Sequence, residues 1–503
     1  LAMHGLSGTV CVDGQRISLA EADREPVLHN QTETGSAPTC TVTFPFTAPA
    51  MTWRWEITEA DTPAGPALTV TAEIHNDSRA DLVLDDWNVV DLQTESDGRI
   101  ELGHDPANVR FFGWRGWTMR VERFAEEASR HDAENVCHLY DPGSGLTLLC
   151  AFVTLDRMEG RHALRYVPGS GVESYRATCI PGAYRLPPGG SVRSETLHVS
   201  YHDDPCAALE GWAEKLYRTY EPSFEGTLDV NWGGGAWIDA FTCRDEGWGE
   251  ILAANAEAIR QKLRGFGIRC IGAGTHKILK DGLPGNWVTF EETPAGEDDY
   301  PTLFAKLRKD GFVYKLWFSP FWFFGETEGT LEENRENLLK DRNGDPITEP
   351  GSWEFDRNRP PDDAPHLTKY YLDGTHPRTK AYLKKIFSAY RDMGARAYML
   401  DFLSMKPEAD LYDNTLLPVA AGRMILQTIR EAAGRDTHLQ TAVASTPAFI
   451  GLINAARVGR DYGEGRPMFP FHGWQNATHV VHDRHAGTTV HFVQTAAAAW
   501  HTH

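Results

Sequence analysis

From Asn231 onward the chain alternates short apolar runs with amphipathic segments of helical length, and this alternation constrains the fold more than any other feature. Parallel strands cannot be joined by a tight turn; they need a crossover, usually a helix. Repeated strand–helix units therefore imply a parallel sheet, and six or so of them imply a barrel. Strands are read at 230–232, 268–272, 313–319, 397–401, 439–443 and 456–459. Helices are read at about 249–265, 300–310, 377–393, 418–433 and 447–454. The stretch 322–369, rich in Pro, Gly, Asp and Asn, reads as a long loop covering the end of the third strand.

Before this region the texture differs. Runs at 41–46, 67–74, 82–90 and 147–155 are short, β-branched or alternating, and bounded by turn clusters such as Asn76-Asp77-Ser78. Many short strands without a convincing helix predict a sandwich. The expected organisation is multidomain: an antiparallel β-supersandwich over 1–203, a helical linker over 204–228, and a (β/α)8-type barrel over 229–503. With the runs at 491–495 and 496–500 included, the count stops at about the seventh barrel strand, so the reading is of a chain short of its last strand and of any C-terminal β-domain.

Barrel enzymes keep their chemistry at the carboxyl ends of the strands. Ala397-Tyr-Met-Leu-Asp401 ends an apolar run in a carboxylate, and Arg457-Val-Gly-Arg-Asp461 repeats the arrangement 60 residues on. Two strand-end carboxylates facing one pocket are the minimal equipment for cleaving a glycosidic bond. The run Trp317-Phe-Ser-Pro-Phe-Trp-Phe-Phe324 looks too aromatic to bury whole and is expected to offer rings such as Trp317 to apolar sugar faces. Trp232 and Trp237 flank glycines that let backbone approach a ligand at the first strand.

Composition narrows the partners. Lys and Arg number 49 against 70 Asp and Glu, a formal charge of −21. So acidic a chain is a poor match for nucleic acid or an anionic membrane and suits a neutral small molecule. No apolar run reaches a membrane span, and the opening Leu-Ala-Met-His-Gly carries no signal-peptide pattern. Eight scattered cysteines with no C-x-x-C pair predict buried reduced thiols and a cytoplasmic location. The histidines between 472 and 503 lack metal-ligand spacing, so neither metal nor other cofactor is expected. Assembly into a homo-oligomer is compatible with the sequence.

Tyr370-Tyr-Leu-Asp-Gly-Thr-His-Pro-Arg-Thr-Lys-Ala-Tyr-Leu383, running into Tyr398-Met-Leu-Asp-Phe402, resembles the α-galactosidase-like clan of glycoside hydrolases, with family 36 the nearest relative. Lys315-Leu-Trp-Phe-Ser-Pro320 is similar to that family's third strand, and Arg457 to Asp461 has the clan's Arg-x-x-x-Asp spacing. The resemblance implies a β-supersandwich followed by a (β/α)8 barrel, and a retaining α-glycosidase acting on a small glycoside or oligosaccharide. Asp401 matches the nucleophile and Asp461 the general acid/base, with Arg457 beside the acid and Lys315 and Trp317 on the substrate side.

The departures are equally specific. The clan's Asp pair ending the second strand is replaced by Ile271-Gly-Ala-Gly-Thr-His276, where His276 would occupy the vacated space. Met399 stands where the clan has Lys, and Thr441-Ala-Val-Ala-Ser-Thr446 replaces a glycine-rich cysteine motif. The catalytic pair matches while the sugar-reading residues do not, so plain α-galactose is not the expected substrate. A transglycosylase of the same fold, or a non-catalytic carbohydrate-binding protein on a decayed barrel, are the alternatives.

Overall fold

The computed structural model of the protein describes residues 2–456 apart from 5–6, 24, 32–38, 63–64, 94–97, 102–105, 116–117, 125–126, 222–230, 233–247, 263–264, 266–269, 275–278, 280–283, 291–297, 352–366, 404–405, 407–408 and 442–446. Up to His202 the regular structure is antiparallel strand with short 3-10 turns. Glu159–Val167 shows why: Gly160, His162, Leu164 and Tyr166 are buried while Arg161 and Arg165 face water, the period-2 signature of a strand with one wet face.

The strands form two sets. One pairs Val27–Gln31, Thr39–Thr47, Ala50–Thr62, Gly65–Asn76, Leu197–His202 and Leu146–Phe152 in that order. The other pairs Gln15–Ser18, Thr9–Val12, Leu82–Gln93, Gly171–Ile180 and Glu159–Val167. Ser129–Asp141 serves both, its first half pairing with Glu159–Val167 and its second with Leu146–Phe152. Asn135 sits at the changeover with φ 60°, a conformation Asn tolerates better than most residues. The sets share one core: Trp53 and Trp87, both fully buried, meet edge to face at 5.9 Å.

The helix α1, Pro205–Tyr220, starts where the sequence predicts, with Asp204 Oδ1 accepting from the Cys206 N–H at 2.7 Å. Its Leu209, Trp212 and Leu216 close the lower edge of the same core, and Trp212 Nε1 donates to the Phe152 carbonyl at 2.9 Å. Leu417 and Ile450 join that cluster from the following region, and Arg423 lies 5.2 Å over the Tyr220 ring.

That region holds a parallel sheet of six strands in sequential order: β1 Asn231–Trp232, β2 Cys270–Gly274, β3 Val313–Phe318, β4 Ala397–Leu400, β5 His438–Thr441 and β6 Ala455–Ala456. The helices between them are α2 Trp248–Lys262, α3 Tyr300–Lys309, α4 Pro377–Asp392 and α5 Pro418–Ala433. Proline in the first turn starts α3, α4 and α5, and left-handed glycines, Gly311 at φ 87° and Gly394 at φ 101°, follow α3 and α4. Phe318 and Tyr398 pack outward on Phe387 and Tyr390 of α4, with ring centroids 4.9–5.5 Å apart. The strands expected beyond residue 459 lie outside the described residues.

Three expectations need correction. The helix expected over 447–454 is a single 3-10 turn, Pro447–Phe449, because the chain turns at Gly451 with φ 83°. The loop expected over 322–369 contains a three-stranded antiparallel sheet, in which Leu367–Tyr371 is the middle strand between Trp322–Phe324 and Thr348–Gly351. This sheet has its own small core of Trp322, Phe324, Leu339, Leu367 and Tyr371. The aromatic run, divided between this core and that of the parallel sheet, is buried after all: Trp317, Phe318, Phe321, Trp322, Phe323 and Phe324 are each at most 3% exposed. No helix among the described residues is long and apolar enough to cross a membrane.

Candidate active site

The register of β3 against β4 decides which side chains share a face. Lys315 lies opposite Ala397 and Trp317 opposite Met399, so these four and Asp401 fall on one face, while Tyr314, Leu316, Phe318, Tyr398 and Leu400 take the helix-covered face. The Asp401 N–H donates to the Phe318 carbonyl at 2.7 Å, which extends the ladder one step and anchors the acid at the carboxyl end of β4.

The half-buried Asp401 carboxylate is oriented at both oxygens. Trp317 Nε1 donates to Oδ2 at 2.8 Å, and the Phe402 N–H donates to Oδ1 at 2.8 Å. The second bond requires a sharp bend, and Phe402 makes it at φ 52°, the left-handed region that a bulky residue rarely adopts. The bend leaves the Phe402 ring 38% exposed, edge to face with Trp317 at 6.3 Å and with Trp322 at 5.3 Å. The Lys369 Nζ lies 5.1 Å from the Trp322 centroid and 5.6 Å from that of Phe402.

Lys315, only 1% exposed, reaches across β4 and donates to Gln440 Oε1 of β5 at 3.0 Å. On its other side the β2 residues in register with Lys315 and Trp317 are Gly272 and Gly274. Behind Trp322, Glu349 accepts from the Tyr371 hydroxyl and the Lys406 ammonium, and these bonds hold its carboxyl below the ordinary value.

Of the residues singled out in the sequence, Asp401, Trp317 and Lys315 are brought to one strand-end region. Trp317 differs from expectation in kind: its ring is 2% exposed, so it is a buried donor to Asp401 rather than an open stacking surface. Trp232 ends β1, paired with Ile271, and its side chain lies outside the described residues. Trp237, His276, Arg457 and Asp461 also lie outside them. The sequence reading missed Phe402, Lys369 and Gln440. Only Gln440 left a signal, as a polar residue in phase with Met399 on a buried strand.

No family model matches the sequence. Solved structures do. The family 36 α-galactosidase AgaA of Geobacillus stearothermophilus matches with TM-score 0.60 at 11% identity, over 97% of this chain and 67% of its own. The α-galactosidase of Lactobacillus brevis matches with TM-score 0.59 at 12% identity, over 96% and 64%. The Thermus thermophilus α-galactosidase, crystallised with stachyose, matches with TM-score 0.51 at 17% identity, over 92% and 86%. The chain thus spans about two thirds of the length of the first two enzymes. At such identities the likeness establishes the fold alone: in fold the chain resembles these α-galactosidases, that of family 36 among them.

Proposed function

We propose that the protein is a retaining α-glycosidase of the α-galactosidase-like type, built as an N-terminal β-supersandwich and a (β/α)8 catalytic barrel. The observation that carries this reading is the Asp401 carboxylate, fixed at a strand's carboxyl end by the Trp317 indole and the Phe402 amide. A nucleophile needs this aim more than reach, because attack on an anomeric carbon succeeds only within a narrow approach.

In the proposed reaction Asp401 attacks the anomeric carbon while Asp461 protonates the departing glycosidic oxygen. Asp461 then takes a proton from water, which releases the sugar from Asp401 with its original anomeric configuration. Such a double displacement requires carboxyl groups about 5–5.5 Å apart. Arg457 would sit beside the acid, and Lys315, Trp232, Trp237 and His276 would contact the sugar.

The neighbours crystallised with stachyose and raffinose support an oligosaccharide ligand. Plain terminal α-galactose is not the substrate we assign, because the stretch 271–276 carries no carboxylate where the resembled clan has an Asp pair, and Met399 stands where it has Lys. The test is a panel of 4-nitrophenyl α- and β-glycosides of galactose, glucose, N-acetylgalactosamine, arabinopyranose, xylose and fucose. Wild type should release nitrophenol from at least one α-glycoside, and Asp401→Asn from none. Activity retained by a folded Asp401→Asn protein would remove Asp401 from the mechanism.

A further inference from the structure

Lys369 is the middle residue of the small sheet's central strand, with Phe324 on one side and Glu349 on the other. Its neighbour Lys406 takes the ion pair with Glu349 and lies over the Tyr371 ring. Among the described residues Lys369 itself forms no ion pair, and its ammonium instead lies over Trp322 and Phe402. An ammonium carries three donors, and ring faces attract its charge without accepting those hydrogens as a carboxylate would.

The position gives that charge meaning. Phe402 is the residue after Asp401, its amide holds the Asp401 carboxylate, and its exposed ring forms an open floor beside the acid. Lys369 and Lys406 place two ammonium groups beside the one Glu349 carboxylate, in a chain of net charge −21. A cation held above aromatic rings beside a sugar-cleaving carboxylate suits a saccharide that presents a ring face to Phe402 and an anionic group to Lys369.

We propose that the Phe402–Trp322–Lys369 cluster is a subsite for an acidic sugar, one bearing a carboxylate or a sulfate ester, next to the bond to be cleaved. The inference rests on the glycosidase reading of Asp401 and narrows its substrate class. It also accounts for the loss of the clan's carboxylates from β2, since acids there would repel an anionic substrate.

Binding separates this inference from the catalytic reading, because it is measured on an Asp401→Asn protein that is not asked to turn anything over. Calorimetric titrations would compare α-1,4-digalacturonate with α-1,4-galactobiose, which differ only in their carboxylates, and galactose 6-sulfate with galactose. At least one anionic sugar should bind about tenfold or more tightly than its neutral counterpart, and the pair that does so identifies carboxylate or sulfate. Adding Lys369→Met should bring that ratio to about two or less, whereas Lys406→Met should leave it in place. Lys369→Gln serves as a second variant, and circular dichroism checks the fold of each. No preference in either pair, or a preference that survives both Lys369 substitutions, overturns the assignment. The nitrophenyl glycoside panel stands or falls independently of these titrations.

Discussion

Trp317→Phe isolates the bond on which the account of Asp401 depends. The substitution keeps an aromatic ring in a 2% exposed site but removes Nε1, the donor to Asp401 Oδ2 at 2.8 Å. A hydrogen bond to a charged group contributes about 1.5–3 kcal/mol. If that energy is expressed in the transition state, kcat/KM should fall roughly 10- to 150-fold, at about 1.36 kcal/mol per decade. Loss of ring volume costs stability as well, about 1–3 kcal/mol, and must not be mistaken for the catalytic effect. Trp287→Phe is the control, because Trp287 is equally buried and packs against Trp317 at 6.2 Å. It should lower the melting temperature while changing kcat/KM by less than about threefold. The assay is initial rates on whichever nitrophenyl glycoside wild type hydrolyses, with active protein counted from thermal melts. Equal kcat/KM for Trp317→Phe and wild type would refute the argument that the indole aims the nucleophile.

Three further outcomes follow from the same structure. Burial holds His138 and His198 down to about 3 and His162 to about 4, so all three are neutral in the folded protein. Unfolding frees them to protonate near 6.5; the stability they contribute is complete above that pH and is lost as pH falls toward their folded values. By pH 5 the loss is on the order of 6 kcal/mol, and melting at pH 7.5 and 5.0 should show a large drop, whereas equal midpoints would contradict the buried neutral state. Lys315→Met removes the donor to Gln440 Oε1 and should raise KM about tenfold. Phe402→Ala should cost no more than about 1–2 kcal/mol in stability, given its 38% exposure, but weaken substrate binding severalfold. Unchanged KM in either variant would place the residue outside the substrate's reach.

The sequence disclosed the parallel sheet because each of its elements is locally marked. Proline opens α4 and α5, glycine follows α4, and each of the six strands starts within about two residues of its expected place. Asp401 was legible for the same reason: an apolar run ending in an acid needs no partner to be noticed. The small sheet was not, because Trp322–Phe324 is three residues long and Thr348–Gly351 contains Pro350. Such strands form only when Leu367–Tyr371 lies between them, a tertiary event without local periodicity. That sheet also buries Trp322 and Phe324 and brings Lys369 to Phe402, so the missed strands and the missed Lys369 have one cause.

The central claim is that Asp401 forms a covalent bond to the sugar. The direct measurement is to treat the protein with cyclophellitol aziridines of α-galacto and α-gluco configuration, which esterify the nucleophile of retaining glycosidases, and to locate the label by peptide mass spectrometry. The account predicts one label, on Asp401, absent from Asp401→Asn. A label on another carboxylate, or one that persists in a folded Asp401→Asn protein, would contradict it.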